Sequence, residues 1–211
     1  MRALTRPEPG PAALNAYQHG RDRWDEVTAA DRTQIWALLM PMQKGLCAYC
    51  EASLDQHGRH IDHHRPRGRS PQGTFAWHNL LGACDRSECC GHHKDSAKAP
   101  DYELGALVDP SAEDPDTLLI VRDTGRVEPR QGLSTLDQRR ATLTIDALQL
   151  NLGWKVAERE RRLRVYMGSE PDIMAALADL DEGDRQSFVR DELAQTEAEP
   201  YPTIIRHFLT G

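Results

Sequence analysis

All five cysteines and seven of the nine histidines of this 211-residue chain fall between residues 46 and 100. That concentration constrains the fold more than any hydrophobic pattern in the sequence. Cys47 and Cys50 form a C-x-x-C, and Cys84, Cys89 and Cys90 follow much further along. Zinc takes four soft ligands in a tetrahedron, and two ligand pairs from distant points can staple a loop that has little core of its own. The cysteine count is odd and no signal peptide is visible, so the thiolates are expected to bind structural Zn²⁺ rather than pair as disulfides. Cys84 is expected in the second pair, completed by Cys90 or by Cys89. That knuckle is wider than the usual two-residue gap, so both alternatives stand.

The length suits one domain, or one domain with a small module, and is enough to bury a core. Hydrophobic residues make up 39% and charged residues 28% of the chain, which places it among soluble globular proteins. The longest apolar run, Ile35 to Met40, is too short for a bilayer span or a signal-peptide core. The expectation is a soluble, cytoplasmic protein with no membrane partner.

Three stretches separate. Residues 1–45 read as an N-terminal helical lead after Pro7, Pro9 and Pro11, with Asp31 as a helix cap and a stop near Pro41. Residues 46–100 read as a small metal-organised unit. Residues 101–211 read as a short hairpin followed by a helical region. Thr117 to Arg122, a turn at Asp123-Thr-Gly125, and Arg126 to Glu128 form the hairpin. Two helices are expected over Ser134–Met167 with a break near Asn151–Gly153, and one or two more over Asp172–Ala198.

The net charge of −7 argues against indiscriminate coating of nucleic acid, but it is unevenly spread. His57 to Ser70 holds four arginines against Asp62 alone, whereas Glu170 to Pro200 is strongly acidic. A basic segment adjoining the cysteines leaves room for a local nucleic-acid site. The basic run Lys155–Arg164 reads as a solvated helix, with a nucleic-acid or acidic-partner face as the alternative.

Between and after the cysteine groups stand Ile61-Asp62-His63-His64-Arg65-Pro66, then Trp77-His-Asn79-Leu80-Leu81, then Cys90-Gly-His92-His93-Lys94-Asp95. This ordered set resembles the zinc-framed ββα-metal (HNH) endonucleases, and more closely the HNH proteins of retron and Septu anti-phage systems, the PtuB-like family. The likeness is specific in the central motifs and looser around Arg139-Arg140, Leu148 to Asn151 and Tyr201 to Arg206. It implies an α+β fold: a small ββα-metal (HNH) unit with a structural zinc knuckle, embedded between helical flanking regions. It also implies a metal-dependent endonuclease acting on DNA, paired with a PtuA-like ATPase. A retron reverse transcriptase and its DNA are further implied partners.

The chemistry matches these residue types. Phosphodiester hydrolysis needs an activated water, charge neutralisation on the phosphate and help for the leaving oxygen. Asp62 suits a hard ion, Mg²⁺ or Mn²⁺, and neutral His63 suits the general base; the resemblance implies the same roles. Asn79 is implied to fix the loop that carries the base. The slot where many relatives place a second metal ligand is Gly91 here, which leaves His93 as first choice and His92 as second. His64 is the alternative base, and Pro66 favours His63. Arg65, Arg67 and Arg69 are expected on phosphates, and Lys94 either approaches the phosphate or faces solvent. His57, His60 and His78 are expected in packing or surface roles. A non-catalytic, zinc-stapled nucleic-acid-binding adaptor is the main rival. Zinc proteases and deaminases are disfavoured because H-E-x-x-H and the deaminase signature are absent.

Overall fold

The computed structural model describes residues 1–169 and 173–211. Glu170 and Asp172, part of the acidic stretch noted above, lie outside the described residues. Among the described residues the chain is a mixture of helices and two small antiparallel sheets.

The proline-rich lead forms two short 3₁₀ turns, Ala12–Ala16 and Trp24–Glu26, and then helix α1, Ala29–Gln43. The cap is Thr28 rather than Asp31. The Thr28 hydroxyl accepts from the Asp31 amide at 3.2 Å, and the Asp31 carboxylate accepts in return from the Thr28 and Tyr17 hydroxyls. Asp31 therefore acts from within the first turn. Helix α1 also runs past Pro41, because a proline in the last turn removes only one hydrogen bond before the helix ends. The stop comes at Lys44 and Gly45, both left-handed at φ 53° and 72°.

Helix α2, Leu54–His57, leads into strand β1, Arg59–His63. Strand β2, Leu80–Cys84, pairs antiparallel with it, Asp62 opposite Leu81 and His60 opposite Ala83. Helix α3, Cys90–Lys94, follows. Alternation along β1 sends Ile61 and His63 toward the α1 side, where Trp24, Ile35, Leu39 and Leu80 form one apolar cluster. Asp62 and His60 face the other way, toward α3. The Gln43 side chain locks α1 to β2, donating to the Leu46 and Gly82 carbonyls and accepting from the Gly82 amide.

The expected hairpin is β3, Leu119–Val121, with β4, Val127–Pro129. Gly125 makes its turn at φ 78°, and a Cβ there would stand 2.2 Å from the Val156 carbonyl oxygen. Helices α4, Thr135–Ala147, and α5, Gly153–Ser169, break where the sequence indicated. Asn151 in that break exchanges two hydrogen bonds with the Val127 backbone. Helices α6, Ile173–Asp179, α7, Glu182–Thr196, and α8, Pro202–Thr210, complete the described chain. A single apolar cluster runs from Tyr49 and Leu81 in the cysteine-rich segment to Leu148, Leu150 and Ile204, so that segment shares its core with the C-terminal helices. No described helix is long and apolar enough to cross a membrane.

Candidate metal centre and active site

Cys47, Cys50, Cys84 and Cys90 come together with their sulfur atoms all within 4.8 Å of one another, and all four are buried. The sequence left the fourth position open between Cys89 and Cys90. Cys90 is the one that joins this set, with its Sγ 3.8 Å from that of Cys47. Cys89 is also buried and lies 3.9 Å from Cys84. No disulfide links the five thiols. Four buried cysteines in one cluster form a donor set that can bind a metal such as zinc.

The surroundings answer the negative charge such a set carries. Lys155 Nζ donates to Cys90 Sγ at 3.2 Å and to the Leu148 and Gln149 carbonyls. Burial works against the ammonium, but the sulfur charges of Cys90 and Cys50 outweigh it and hold the Lys155 pKa above its ordinary value. Arg159, also buried, donates to the Gly125 and Leu150 carbonyls. The basic run on α5 is therefore divided, because Lys155 and Arg159 turn inward while Arg161 and Arg164 remain exposed. The two inward cations are spaced i, i+4, one helical face, and that spacing was the available signal.

Asp62 is only 3% exposed. Its Oδ2 accepts a 2.5 Å hydrogen bond from the Tyr49 hydroxyl, and its Oδ1 lies 3.2 Å from Lys94 Nζ. Burial alone would raise the carboxyl pKa, but the Lys94 ammonium, the nearby His60 imidazole and the Tyr49 hydrogen bond lower it below the usual carboxylate range. Lys94 is fully buried, contrary to a solvent-facing position, and also donates to the His63 carbonyl and to Asp95. It thus ties the carboxylate to the backbone of the neighbouring histidine.

The His63 ring stands edge-on to Trp24 with centroids 4.5 Å apart. Its Nε2–H donates to the Thr74 carbonyl at 2.9 Å, which leaves the lone pair on Nδ1. Burial lowers its pKa to about 4, so the imidazole is neutral at pH 7. His64 is buried as well, with Nδ1 unpartnered. Asn79 accepts from the Arg65 amide at 2.7 Å and donates to the Arg65 and Gly73 carbonyls. These three bonds pin the loop that follows His63. Arg65, Arg67 and Arg69 are exposed. Arg67, Arg69, Lys94 and Tyr102 line a cleft of about 460 Å³, and Arg69 stacks over the Tyr102 ring at 4.8 Å. A larger cavity of about 1090 Å³ lies among α1, α7 and α8 and is lined by none of these residues.

The two histidines on α3 part company. His93 is buried, and its Nδ1–H donates to the Ala147 carbonyl at 2.8 Å, leaving Nε2 as the acceptor nitrogen. His92 is exposed, binds Asp85 at 2.7 Å and stacks on His60. At Gly91, a Cβ would stand 2.4 Å from Asp62 Oδ1 and 2.8 Å from His60 Nε2. The carboxylate and the imidazole therefore fill the space where another side chain would begin. Sequence reasoning gave His60 and Tyr49 no part in this neighbourhood. The signal for His60 was its i, i+2 spacing from Asp62 on a strand, which puts both on one face.

No family model matches the chain. It is similar to the Septu protein PtuB of Bacillus mycoides (strain KBAB4), 29% identical over an alignment of 168 positions that covers 59% of this chain and 56% of that protein. A second Septu protein PtuB, from Bacillus thuringiensis, is 27% identical over 100 positions, 46% of this chain and 34% of that protein. The chain spans about half the length, or less, of these curated relatives. In sequence the chain is similar to both Septu PtuB proteins over part of their length.

Proposed function

We propose that this protein is a metal-dependent HNH-type endonuclease that hydrolyses DNA phosphodiester bonds in anti-phage defence, working with a PtuA-like ATPase. One observation carries the reading. The adjacent Asp62 and His63, with Asn79 and Lys94 from two later places in the sequence, gather at one end of the β1–β2 hairpin, with Lys94 touching both Asp62 Oδ1 and the His63 carbonyl and Asn79 holding the loop that follows. The β1–β2–α3 order and the adjoining cysteine cluster support it, and the similarity to the Septu proteins supports the defence role.

In this reading the Nδ1 lone pair of neutral His63 takes a proton from water, and Thr74 and Trp24 hold the ring in place for it. Arg65 and Arg67 bind backbone phosphates next to the cleft. Asp62 would hold Mg²⁺ or Mn²⁺, with the free Nε2 of His93 as the candidate second ligand. Both are buried donors suited to a divalent ion. Such an ion neutralises charge on the scissile phosphate and stabilises the leaving 3′ oxygen. Asn79 acts by position, and the cysteine cluster, holding zinc, anchors α3.

A second reading, a zinc-stapled nucleic-acid-binding adaptor, is favoured by one observation: the Asp62 charge is already matched by Lys94. Incubating the purified protein with plasmid and single-stranded DNA, with Mg²⁺, Mn²⁺ or EDTA, and with and without a co-expressed ATPase, separates the two. The nuclease reading expects cutting that needs the divalent ion. Intact DNA in every condition, with binding retained, selects the adaptor.

A further inference from the structure

His60 on β1, Asp85 just past β2 and His92 on α3 each bring one ligand atom to within 4.8 Å of the others. We propose that these three residues form a second metal site, separate from the cysteine cluster, for a borderline divalent ion such as Zn²⁺, Co²⁺ or Ni²⁺. Two imidazoles and one carboxylate are a donor set such ions accept, and three protein ligands leave open coordination positions.

The geometry is built from three different elements. His92 Nε2 lies 2.7 Å from Asp85 Oδ1, and His60 Nδ1 lies 3.8 Å from the same oxygen. The two rings stack with centroids 4.0 Å apart and planes 25° apart, and a nitrogen of each lies within 4 Å of the same Asp85 oxygen. An independent observation points to a ligand: His60 Nδ1 is buried and has no hydrogen-bond partner. A buried ring nitrogen left unpaired is costly, and a metal ion removes that cost.

The opposite nitrogen of the same ring faces a second carboxylate, with Nε2 3.9 Å from Asp62 Oδ1. A carboxylate behind a ligating imidazole is the usual outer-shell arrangement of histidine metal sites, where it fixes the ring's orientation. Gly91 maintains the placement, since a Cβ there would stand 2.8 Å from His60 Nε2. His92 and Asp85 are exposed, so an ion reaches the site from solvent. The inference is independent of the nuclease reading and holds equally for an adaptor.

The test titrates Co²⁺ into the 211-residue protein whose cysteine cluster is already loaded with zinc, followed by calorimetry and visible absorption. One further equivalent that depends on His92 and Asp85 is expected, apart from any ion taken up by Asp62 and His93, with weak d–d bands and none of the intense thiolate charge transfer that Co²⁺ at the cysteines would produce. His92→Ala and Asp85→Asn should each weaken it at least about tenfold, while His78→Ala, an exposed histidine elsewhere, should leave it unchanged. Both test positions are at the surface, so the variants keep the fold, and unchanged zinc content verifies this. The proposal is overturned if wild type takes up no further ion, or if His92→Ala binds it as wild type does. Binding lost in Asp62→Asn but kept in His92→Ala would place the ion on Asp62 and equally overturn it.

Discussion

Lys155 Nζ lies 3.2 Å from Cys90 Sγ, so a fully buried ammonium on α5 faces a fully buried cysteine at the start of α3. This contact joins the cysteine cluster to the C-terminal helices through charge as well as through packing. Removing the cation leaves the sulfur charge uncompensated in a low dielectric. Lys155→Met should lower zinc affinity by about 10- to 100-fold and cost roughly 3 kcal/mol of stability. Chelator competition and thermal unfolding measure the two effects, and a variant with wild-type zinc retention would show that Lys155 is only packed there.

Asn79 makes three hydrogen bonds to backbone groups of Arg65 and Gly73 while itself buried. Asn79→Ala strands those groups and should cost about 2–4 kcal/mol. Hydrogen exchange should rise across residues 64–73 and leave α4 unaffected. Uniform protection would mean the loop is held by something else.

Gly91 is a position where one carbon decides the fit. Gly91→Ala pushes into the Asp62 carboxylate and His60, and should destabilise by about 1–3 kcal/mol. Gly68→Ala, where nothing lies within 4 Å, is the control and should stay within about 0.5 kcal/mol. Calorimetric melting of the pair reads the difference.

Burial of His63 has a pH signature. Its folded pKa of about 4 lies below the ordinary value near 6.5, so the unfolded chain binds more protons between these limits. The stabilising contribution is complete above about pH 6.5 and is lost as pH falls toward 4, a change of roughly 3 kcal/mol. His63→Gln lacks this titration. Denaturant unfolding without added divalent ions should show the gap between wild type and variant shrinking by about that amount over the window, whereas a constant gap would place His63 in solvent.

Arg65 and Arg67 are exposed beside the cleft, so their role is read from salt dependence rather than stability. The double alanine variant should reduce the slope of log affinity against log salt by about 2 for duplex DNA. An unchanged slope would move the phosphate contacts elsewhere, with the exposed face of α5 next to examine.

Much of this arrangement is legible along the chain. The C-x-x-C, the Asp62-His63 pair, Asn79 and the hairpin turn at Gly125 are each local signals whose physics is set within a few residues. The helix break at Asn151–Gly153 is of the same kind. What the sequence left open depends on long-range packing. Cys89 and Cys90 are adjacent and chemically equal, and only the fold brings Cys90 to Cys47. Lys155 looks like one more cation on a basic helix until the cysteine cluster is placed beneath it. His60 is unremarkable in sequence, and gains its neighbours only when α3 docks over β1 with a glycine at the contact. The α1 cap fell three residues early, at Thr28, because Thr28 and Asp31 can each bond the other and sequence alone does not rank them.

The most direct measurement is single-turnover cleavage of a defined DNA with Mn²⁺ and any required ATPase, comparing wild type, His63→Ala and His64→Ala. Assignment of His63 as the base predicts that His63→Ala slows cutting by at least about 10²-fold, while His64→Ala, whose ring lacks the Thr74 bond, stays within about tenfold of wild type. Cutting by His63→Ala at the wild-type rate, or no cutting by any form while DNA binding persists, would contradict it.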